Sequence, residues 1–231
     1  MEILRGPGGC EWDRAQTPAD IAPYTIEEAY EVKDAIDRDD TADLRAELGD
    51  LLFQTIFQSC IAEEAGTFDF DDVCRDLVAK MVRRHPHVFG DADKPDWDAL
   101  KATERTGATL DGVALALPAL MRAQKIQNRA AKTGFDWPSP EPVADKVREE
   151  LDELAAATSP EDRHEELGDL LFSVVNLARH LKIDSEAALR DANAKFERRF
   201  AHVESALGDS LATASLEDME AHWQAAKREG L

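Results

Sequence analysis

Four sequence blocks occur twice in the same order, and this internal repeat constrains the fold of the 231-residue chain most strongly. The segment ELGDLLF at Glu47–Phe53 returns unchanged at Glu166–Phe172. Three other blocks recur in weaker form: TIEEAYE (Thr25–Glu31) as VREELDE (Val147–Glu153), KMVRRHPHV (Lys80–Val88) as KFERRFAHV (Lys195–Val203), and WDALK (Trp97–Lys101) as WQAAK (Trp223–Lys227). Ordered recurrence of this kind predicts two copies of one structural unit.

Hydrophobic periodicity predicts that each unit is helical. Apolar residues recur at spacings of three and four over Ile26–Ile36, Leu44–Ala62, Val73–Val82, Val143–Leu154, Leu167–Leu181, Ala187–Phe200 and Leu216–Ala226. Glycine and proline separate these segments, and Thr41 or Asp43 is the predicted N-cap of the second one. We therefore expect an all-α protein with tandem units at 1–106 and 119–231, joined by a linker at 107–118.

Composition limits the class of partner. The formal net charge is -21, with 48 acidic and 27 basic residues. Nucleic acids and anionic membranes select an excess of Lys and Arg, so neither is an expected partner. Cys10, Cys60 and Cys74 are widely spaced and match no zinc motif, which is typical of a reduced cytoplasmic protein. No apolar run is long enough to span a bilayer, and the N-terminus does not resemble a signal peptide.

Each copy carries two pairs of carboxylates at helical spacing. Glu150 and Glu153 are three apart on one predicted helix, and Glu166 and Asp169 are three apart on the next. A short connection makes these helices antiparallel neighbours, so the four acids are expected to face one another. A hard divalent cation, Mg²⁺ or Mn²⁺, is the expected counter-charge for such a cluster. The N-terminal copy offers the same set as Glu28, Glu31, Glu47 and Asp50.

Basic residues and a tryptophan follow the acids in each copy. Lys195 and Arg199 are four apart on one predicted helix, and Trp223 and Lys227 are four apart on the last. Cations hold phosphate oxygens, and an indole ring stacks on a base or a ribose, so the combination predicts a nucleotide polyphosphate site. Taken singly, a salt-bridged helix and a core tryptophan explain these pairs better than function does. The N-terminal equivalents are Lys80, Arg84, Trp97 and Lys101.

The chain resembles the MazG family of nucleoside triphosphate pyrophosphohydrolases along nearly its whole length. The resemblance rests on GCEWDRAQT, IAPYTIEEAYEV, ELGDLLFQ, RRHPHVF, LPALMRAQKIQ, GFDW, EELGDLLFSVVNLARHL and KFERRF. It implies two MazG-like helical bundle units per chain and a homodimer. It also implies Mg²⁺-dependent hydrolysis of an NTP to NMP and diphosphate, with broad base tolerance and a house-cleaning role in the nucleotide pool.

The resemblance also distinguishes the two copies, because the C-terminal one is associated with hydrolysis in two-domain family members. The implied metal ligands are Glu150, Glu153, Glu166 and Asp169. The implied nucleotide contacts are Lys125, Lys195, Arg199, Trp223 and Lys227. The expected catalytic set is Glu149, Glu150, Glu166 and Asp169, in which Glu149 or Glu150 orients or deprotonates the attacking water. The N-terminal copy keeps every residue type, so the sequence gives no reason to call it inactive.

Three alternatives stay open at this point. An enzyme specific for dUTP, dCTP or phosphoribosyl-ATP would use the same metal chemistry. A carboxylate-bridged di-iron protein of the ferritin type needs Glu-x-x-His on two helices, whereas this chain offers Glu161-x-x-His164 alone, displaced from the acid pairs. A non-catalytic nucleotide-binding regulatory module is the third. The retention of acids, bases and tryptophan in both copies argues against a purely structural role.

Overall fold

The computed structural model describes residues 1–91 and 107–231, and every regular element in these ranges is a helix. The chain divides into two compact units, Met1–Arg105 and Thr106–Leu231. The expected all-α class with a tandem repeat is therefore confirmed. Trp97 and Lys101, which were assigned to the N-terminal copy of the site, lie outside the described residues.

The N-terminal unit is built around one long helix pair. Its helices are α1 (Glu2–Arg5), α2 (Glu11–Ala15), α3 (Pro18–Asp37), α4 (Thr41–Glu64), α5 (Phe70–Arg84) and α6 (Pro86–Phe89). Helices α3 and α4 pack against each other, and α5 contacts α4. Ile21 of α3 packs with Phe57 and Ile61 of α4 in the core of the unit. These contacts hold the predicted acid-bearing segments of α3 and α4 side by side.

Capping side chains place the ends of these helices. Thr17 and Asp20 form a capping box at the start of α3. Asp40, whose carboxylate accepts hydrogen bonds from the backbone N–H groups of Ala42 and Asp43, is the N-cap of α4. The prediction that Thr41 or Asp43 caps this helix was wrong because both residues already belong to its first turn.

The C-terminal unit repeats this arrangement with its own long pair. Its elements are α7 (Ala119–Ala131), α8 (Pro140–Ala156), α9 (Pro160–His180), α10 (Ser185–Leu207), a 3₁₀ turn (Gly208–Thr213) and α11 (Leu216–Arg228). Helices α8 and α9 pack together, α7 contacts α9 and α10, and α10 contacts α11. Val143, Val175, Val203 and Ala226 are buried, and they come from α8, α9, α10 and α11 respectively. The contacts between these helices therefore fix the positions of α8, α9, α10 and α11, which carry the predicted site residues of this unit other than Lys125.

The segment 107–118 lies against helix α7 of its own unit. Val113 is buried, and the guanidinium of Arg129 donates hydrogen bonds to the carbonyl oxygens of Asp111 and Gly112. These contacts order the segment on one side. Its role as a linker between the two units, and the domain limits on either side of it, stay predictions.

Helices α8 and α9 expose large apolar side chains. Leu151, Leu167 and Leu171 are 55%, 46% and 49% exposed, respectively. Exposed apolar side chains on neighbouring helices are typical of surfaces that other molecules cover. Among the described helices, none combines the length and the apolar character that a bilayer crossing requires.

Candidate functional site

Three carboxylates from two helices meet in the C-terminal unit. Oxygen atoms of Glu150 and Glu153 on α8 and of Glu166 on α9 all lie within 4.8 Å of one another. Glu150 is only 5% exposed, so its charge is held largely away from water. The helical spacing and the short connection at 157–159 thus bring together three of the four acids predicted as metal ligands. The fourth, Asp169, lies one helical turn beyond Glu166 on α9.

Burial and the neighbouring acids both act on the pKa of Glu166 in this cluster. Burial of the Glu166 carboxyl group and repulsion from Glu153, Glu150 and Asp169 raise its pKa above the ordinary value for glutamate. The donor atoms of the cluster are all carboxylate oxygens, which suit a hard divalent cation better than a soft one. Because a bound dication would remove the repulsion, the cluster fits such an ion in both its chemistry and its charge.

A lysine that the sequence analysis did not name also serves this cluster. The Nζ atom of Lys146 lies 2.7 Å from Glu149 Oε1, 2.9 Å from Glu150 Oε1 and 4.0 Å from Glu153 Oε2. Hydrogen bonds to Glu149 and Glu150 raise the pKa of Lys146. The signal was present in the sequence, because Lys146 precedes Glu150 by four residues on the same helix. The counter-charge expected from metal alone is thus supplied in part by an ammonium group.

The N-terminal unit contains an acid cluster of similar geometry. Oxygen atoms of Glu28 on α3 and of Glu47 and Asp50 on α4 lie within 4.8 Å of one another. Glu31 lies close enough to Glu28 and Glu47 for their carboxylates to influence its pKa. Burial is the main cause that raises the pKa of Glu28, Glu31 and Glu47, and neighbouring acids add to it. All four acids predicted in this copy therefore gather at one place.

The two acid clusters differ in the groups around them. When TIEEAYE is aligned with VREELDE, Tyr24 occupies the position of Lys146. In the N-terminal cluster the side-chain amide of Gln54 instead donates a hydrogen bond of 3.3 Å to Glu28 Oε1. A neutral amide offsets less negative charge than an ammonium does. The two copies are therefore similar in their carboxylates and different in their counter-charge.

The predicted nucleotide contacts Arg199 and Trp223 lie together in the C-terminal unit. The guanidinium carbon of Arg199 lies 5.8 Å from the centre of the Trp223 ring, and the Phe196 ring lies 5.2 Å from that ring. Arg199 Nε donates a hydrogen bond of 2.7 Å to the carbonyl oxygen of Leu231. The cation–π contact with Arg199 and the packing on Phe196 thus hold the indole of α11 against helix α10.

The structure does not connect these basic residues with the acid cluster. Lys125, Lys195 and Lys227 are exposed on α7, α10 and α11. Within residues 1–91 and 107–231, no hydrogen bond or ion pair joins them, or Arg199, to the acids of α8 and α9. The N-terminal equivalents Lys80 and Arg84 both lie on α5. The nucleotide-binding roles of all these residues stay predictions.

Another polar cluster, also missed from the sequence, joins the GFDW segment to helix α9. Arg179 makes two hydrogen bonds to the carboxylate of Asp136, one of them 2.9 Å between Nη1 and Oδ2. His180 Nε2 lies 3.1 Å from Asp136 Oδ1. The hydrogen bond from Arg179 is the main cause that lowers the pKa of Asp136 to about 2. This ion pair connects the segment before α8 to the C-terminal end of α9.

Replacing Asp136 by Asn is expected to lower the free energy of unfolding at pH 7 by about 1–2 kcal/mol. The folded-state pKa of Asp136 is below the ordinary 3.8, so its contribution is complete above that value and is lost as the pH falls towards 2. The difference between wild type and variant should therefore shrink between about pH 4 and pH 2. Urea unfolding over this range measures it, and a difference that is independent of pH would contradict the ion pair.

Comparisons with known proteins agree with the repeat. The profile described as MazG nucleotide pyrophosphohydrolase domain matches residues 16–89 and again residues 139–204, ranges that contain the two acid clusters. A nucleoside triphosphate pyrophosphohydrolase of Escherichia coli (strain K12) is 50% identical, covering 99% of this chain and 95% of its own length. The nucleoside triphosphate pyrophosphohydrolase/pyrophosphatase MazG of Thermotoga maritima is 44% identical, covering 98% and 92%. YabN of Bacillus subtilis is 44% identical over 97% of this chain and 49% of its own length.

Proposed function

The chain belongs to the MazG nucleotide pyrophosphohydrolase family, and from this premise we propose that its C-terminal unit hydrolyses nucleoside triphosphates to NMP and diphosphate. The observation that carries the proposal is the cluster of Glu150, Glu153 and Glu166 across α8 and α9. We further propose broad base tolerance and a house-cleaning role, with Mg²⁺ as the cofactor and Mn²⁺ as a substitute. The N-terminal cluster is a candidate second site.

The carboxylates of α8 and α9 would hold the cofactor. Glu150, Glu153 and Glu166 supply the clustered oxygens, and Asp169 adds a further ligand from the next turn of α9. When bound, Mg²⁺ neutralises triphosphate charge and lowers the pKa of a coordinated water. Glu149 is then a candidate to orient that water, because Lys146 bonds to its carboxylate and to that of Glu150.

Cationic side chains of the same unit complete the proposed chemistry. Lys146 holds Glu150 in place before the substrate arrives and can turn its ammonium towards phosphate oxygens afterwards. Lys195, Arg199 and Lys227 would stabilise the charge that develops on the leaving diphosphate. Lys125 and Trp223 would contact the nucleotide, as the family resemblance implies.

A substrate panel tests this function. Full-length protein is expected to release diphosphate, and not phosphate, from ATP, GTP, CTP, UTP and their deoxy forms in Mg²⁺, with loss of the activity in excess EDTA. Release from dUTP, dCTP or phosphoribosyl-ATP alone would support the narrow-specificity alternative. Nucleotide binding without any release would support a regulatory module. Phosphate in place of diphosphate would contradict the proposed bond cleavage.

We also propose that the chain works as a cytoplasmic homodimer. The half-exposed Leu151, Leu167 and Leu171 beside the acid cluster support a second copy covering this face. Light scattering after size-exclusion chromatography is expected to give twice the mass of the chain. A monomer at micromolar concentration would contradict the assembly without affecting the proposed chemistry.

A further inference from the structure

Helix α11 is followed by a turn, Glu229–Leu231, that returns the backbone towards its own helix. The N–H of Gly230 bonds to the carbonyl oxygen of Lys227 at 3.3 Å, and the N–H of Leu231 bonds to that of Ala226 at 3.1 Å. Gly230 has a φ of +85°, in the left-handed region that glycine adopts most readily. This pattern is the Schellman motif, so the glycine determines the path of the chain into Leu231.

The turn contacts helix α10 at two points. Arg199 Nε donates a hydrogen bond of 2.7 Å to the carbonyl oxygen of Leu231. Three residues further along α10, His202 Nδ1 lies 3.6 Å from Glu229 Oε2. Leu231 is partly buried although it lies beyond the end of α11. The turn is therefore attached to α10 and does not extend into solvent.

Arg199 keeps most of its hydrogen-bond donors unused. A guanidinium group carries five N–H donors, one on Nε and four on the two Nη atoms. The Nε donor is bonded to Leu231, and the centre of the Trp223 ring lies 5.8 Å from the guanidinium carbon. Within the part of the chain that the structure describes, no hydrogen bond or ion pair engages Nη1 or Nη2 of Arg199. The unused donors are thus the two nitrogens at the end of the fork.

We propose that the turn Glu229–Leu231 is a positioning element that orients Arg199 for the phosphate groups of the substrate. This role rests on the proposed function, in which Arg199 stabilises the charge on the leaving diphosphate. With Nε bonded to Leu231, the guanidinium presents Nη1 and Nη2, which can bind two phosphate oxygens side by side. The hydrogen bond and the indole also hold the side chain before the substrate arrives, so less rotamer freedom is lost on binding.

The N-terminal unit offers a turn of the same type for comparison. At the end of α4, the N–H groups of Gly66 and Thr67 bond to the carbonyl oxygens of Glu63 and Ala62, and Gly66 has a φ of +68°. At both Gly66 and Gly230, an added Cβ would meet no atom within 4 Å beyond its chain neighbours. A side chain at either position therefore disturbs its turn through backbone strain and not through a clash. Gly66 is the matched control for Gly230.

The test replaces Gly230 by Val, which disfavours the left-handed conformation and so releases the carbonyl group of Leu231 from Arg199. Diphosphate and NMP are then compared as product inhibitors of NTP hydrolysis, because inhibition constants do not depend on the folded fraction. The constant for diphosphate should rise about three- to tenfold, since the guanidinium must then be ordered on binding. The constant for NMP should not change. Gly230→Asn, which tolerates a positive φ, and Gly66→Val should both resemble the wild type.

Arg199→Lys shows whether the turn acts through the arginine. Lysine keeps the positive charge but lacks the planar fork and the separate Nε–H group. This variant alone should raise the inhibition constant for diphosphate, and adding Gly230→Val to it should cause no further rise. Independent, additive effects of the two changes would mean that the turn supports the fold, and would refute the positioning role.

The other outcomes distinguish this role from the proposed function. Absence of diphosphate release from every NTP by the wild type would refute the proposed function. Normal hydrolysis with an unchanged diphosphate constant in Gly230→Val would refute the positioning role alone. A lower constant would also refute it, because the turn would then withhold Arg199 from the substrate. So would equal rises in Gly230→Val and Gly66→Val. Gly230→Ala, which strains the turn less, replaces the valine variant in each comparison if that variant does not fold.

Discussion

Replacing Glu166 by Gln and Asp169 by Asn in one chain is expected to reduce diphosphate release from NTPs at least about 100-fold. The amides keep the shape of the side chains but remove two of the negative charges that would bind the cation. Glu166 is the α9 member of the cluster, so its loss leaves Glu150 and Glu153 without a carboxylate ligand from the facing helix. Coupled measurement of diphosphate under saturating NTP and varied Mg²⁺ gives the loss in kcat and the shift in metal requirement.

The repeat provides a matched control within the same molecule. Glu47→Gln combined with Asp50→Asn changes the same two positions of the identical ELGDLLF segment in the N-terminal unit. We expect this variant to retain most of the activity, since hydrolysis is assigned to the C-terminal unit. Equal losses of activity in the two variants would show either that both units hydrolyse NTPs or that the activity of one unit depends on the other. Full activity in the variant with Glu166→Gln and Asp169→Asn would place the chemistry outside the acid cluster.

The sequence predicted the positions of the helices more accurately than the residues at which they begin and end. The apolar pattern over Leu167–Leu181 predicted the centre of α9, because one face of that helix packs against α8. Its first turns are polar, so periodicity does not reveal them, but the cap residue Ser159 and the proline after it correctly indicate its beginning at Pro160. Helix α3 likewise starts at Pro18 and contains Pro23, a residue that ordinarily signals a boundary. Helix α7, with its many polar residues, was not predicted.

The acid cluster was predictable because it depends on local spacing and one short connection. The contact of Lys146 with Glu150 is equally local, because i,i+4 spacing on one helix places the ammonium beside that carboxylate. The hydrogen bonds from Arg179 to Asp136 and from Gln127 to the carbonyl oxygen of Phe172 depend instead on tertiary packing. They join segments more than forty residues apart in the sequence, and periodicity carries no information about such pairings.

Replacing Lys146 by Met is expected to destabilise the metal-free protein and to lower its Tm. The change removes the ammonium but keeps an unbranched side chain, so Glu150 stays 5% exposed beside Glu149 and Glu153 with no cation to offset it. The loss is limited because the Lys146 side chain is 35% exposed and water screens its charge. Thermal unfolding in EDTA measures the loss. Lys33→Met, which breaks the exposed i,i+4 pair with Asp37, should cost less than about 0.5 kcal/mol.

Addition of Mg²⁺ to the Lys146→Met protein then distinguishes the two sources of positive charge beside Glu150, which are the ammonium of Lys146 and a bound cation. In the wild type a cation competes with the ammonium for Glu150, whereas in the variant it meets an unpaired carboxylate. The rise in Tm on adding Mg²⁺ should therefore be larger in the variant, because binding to the folded state stabilises in proportion to its free energy. An equal rise in both proteins would mean that the ammonium and the cation do not share Glu150. A smaller rise would mean that Lys146 helps to assemble the metal site, and its loss should then also raise the Mg²⁺ concentration needed for half-maximal turnover.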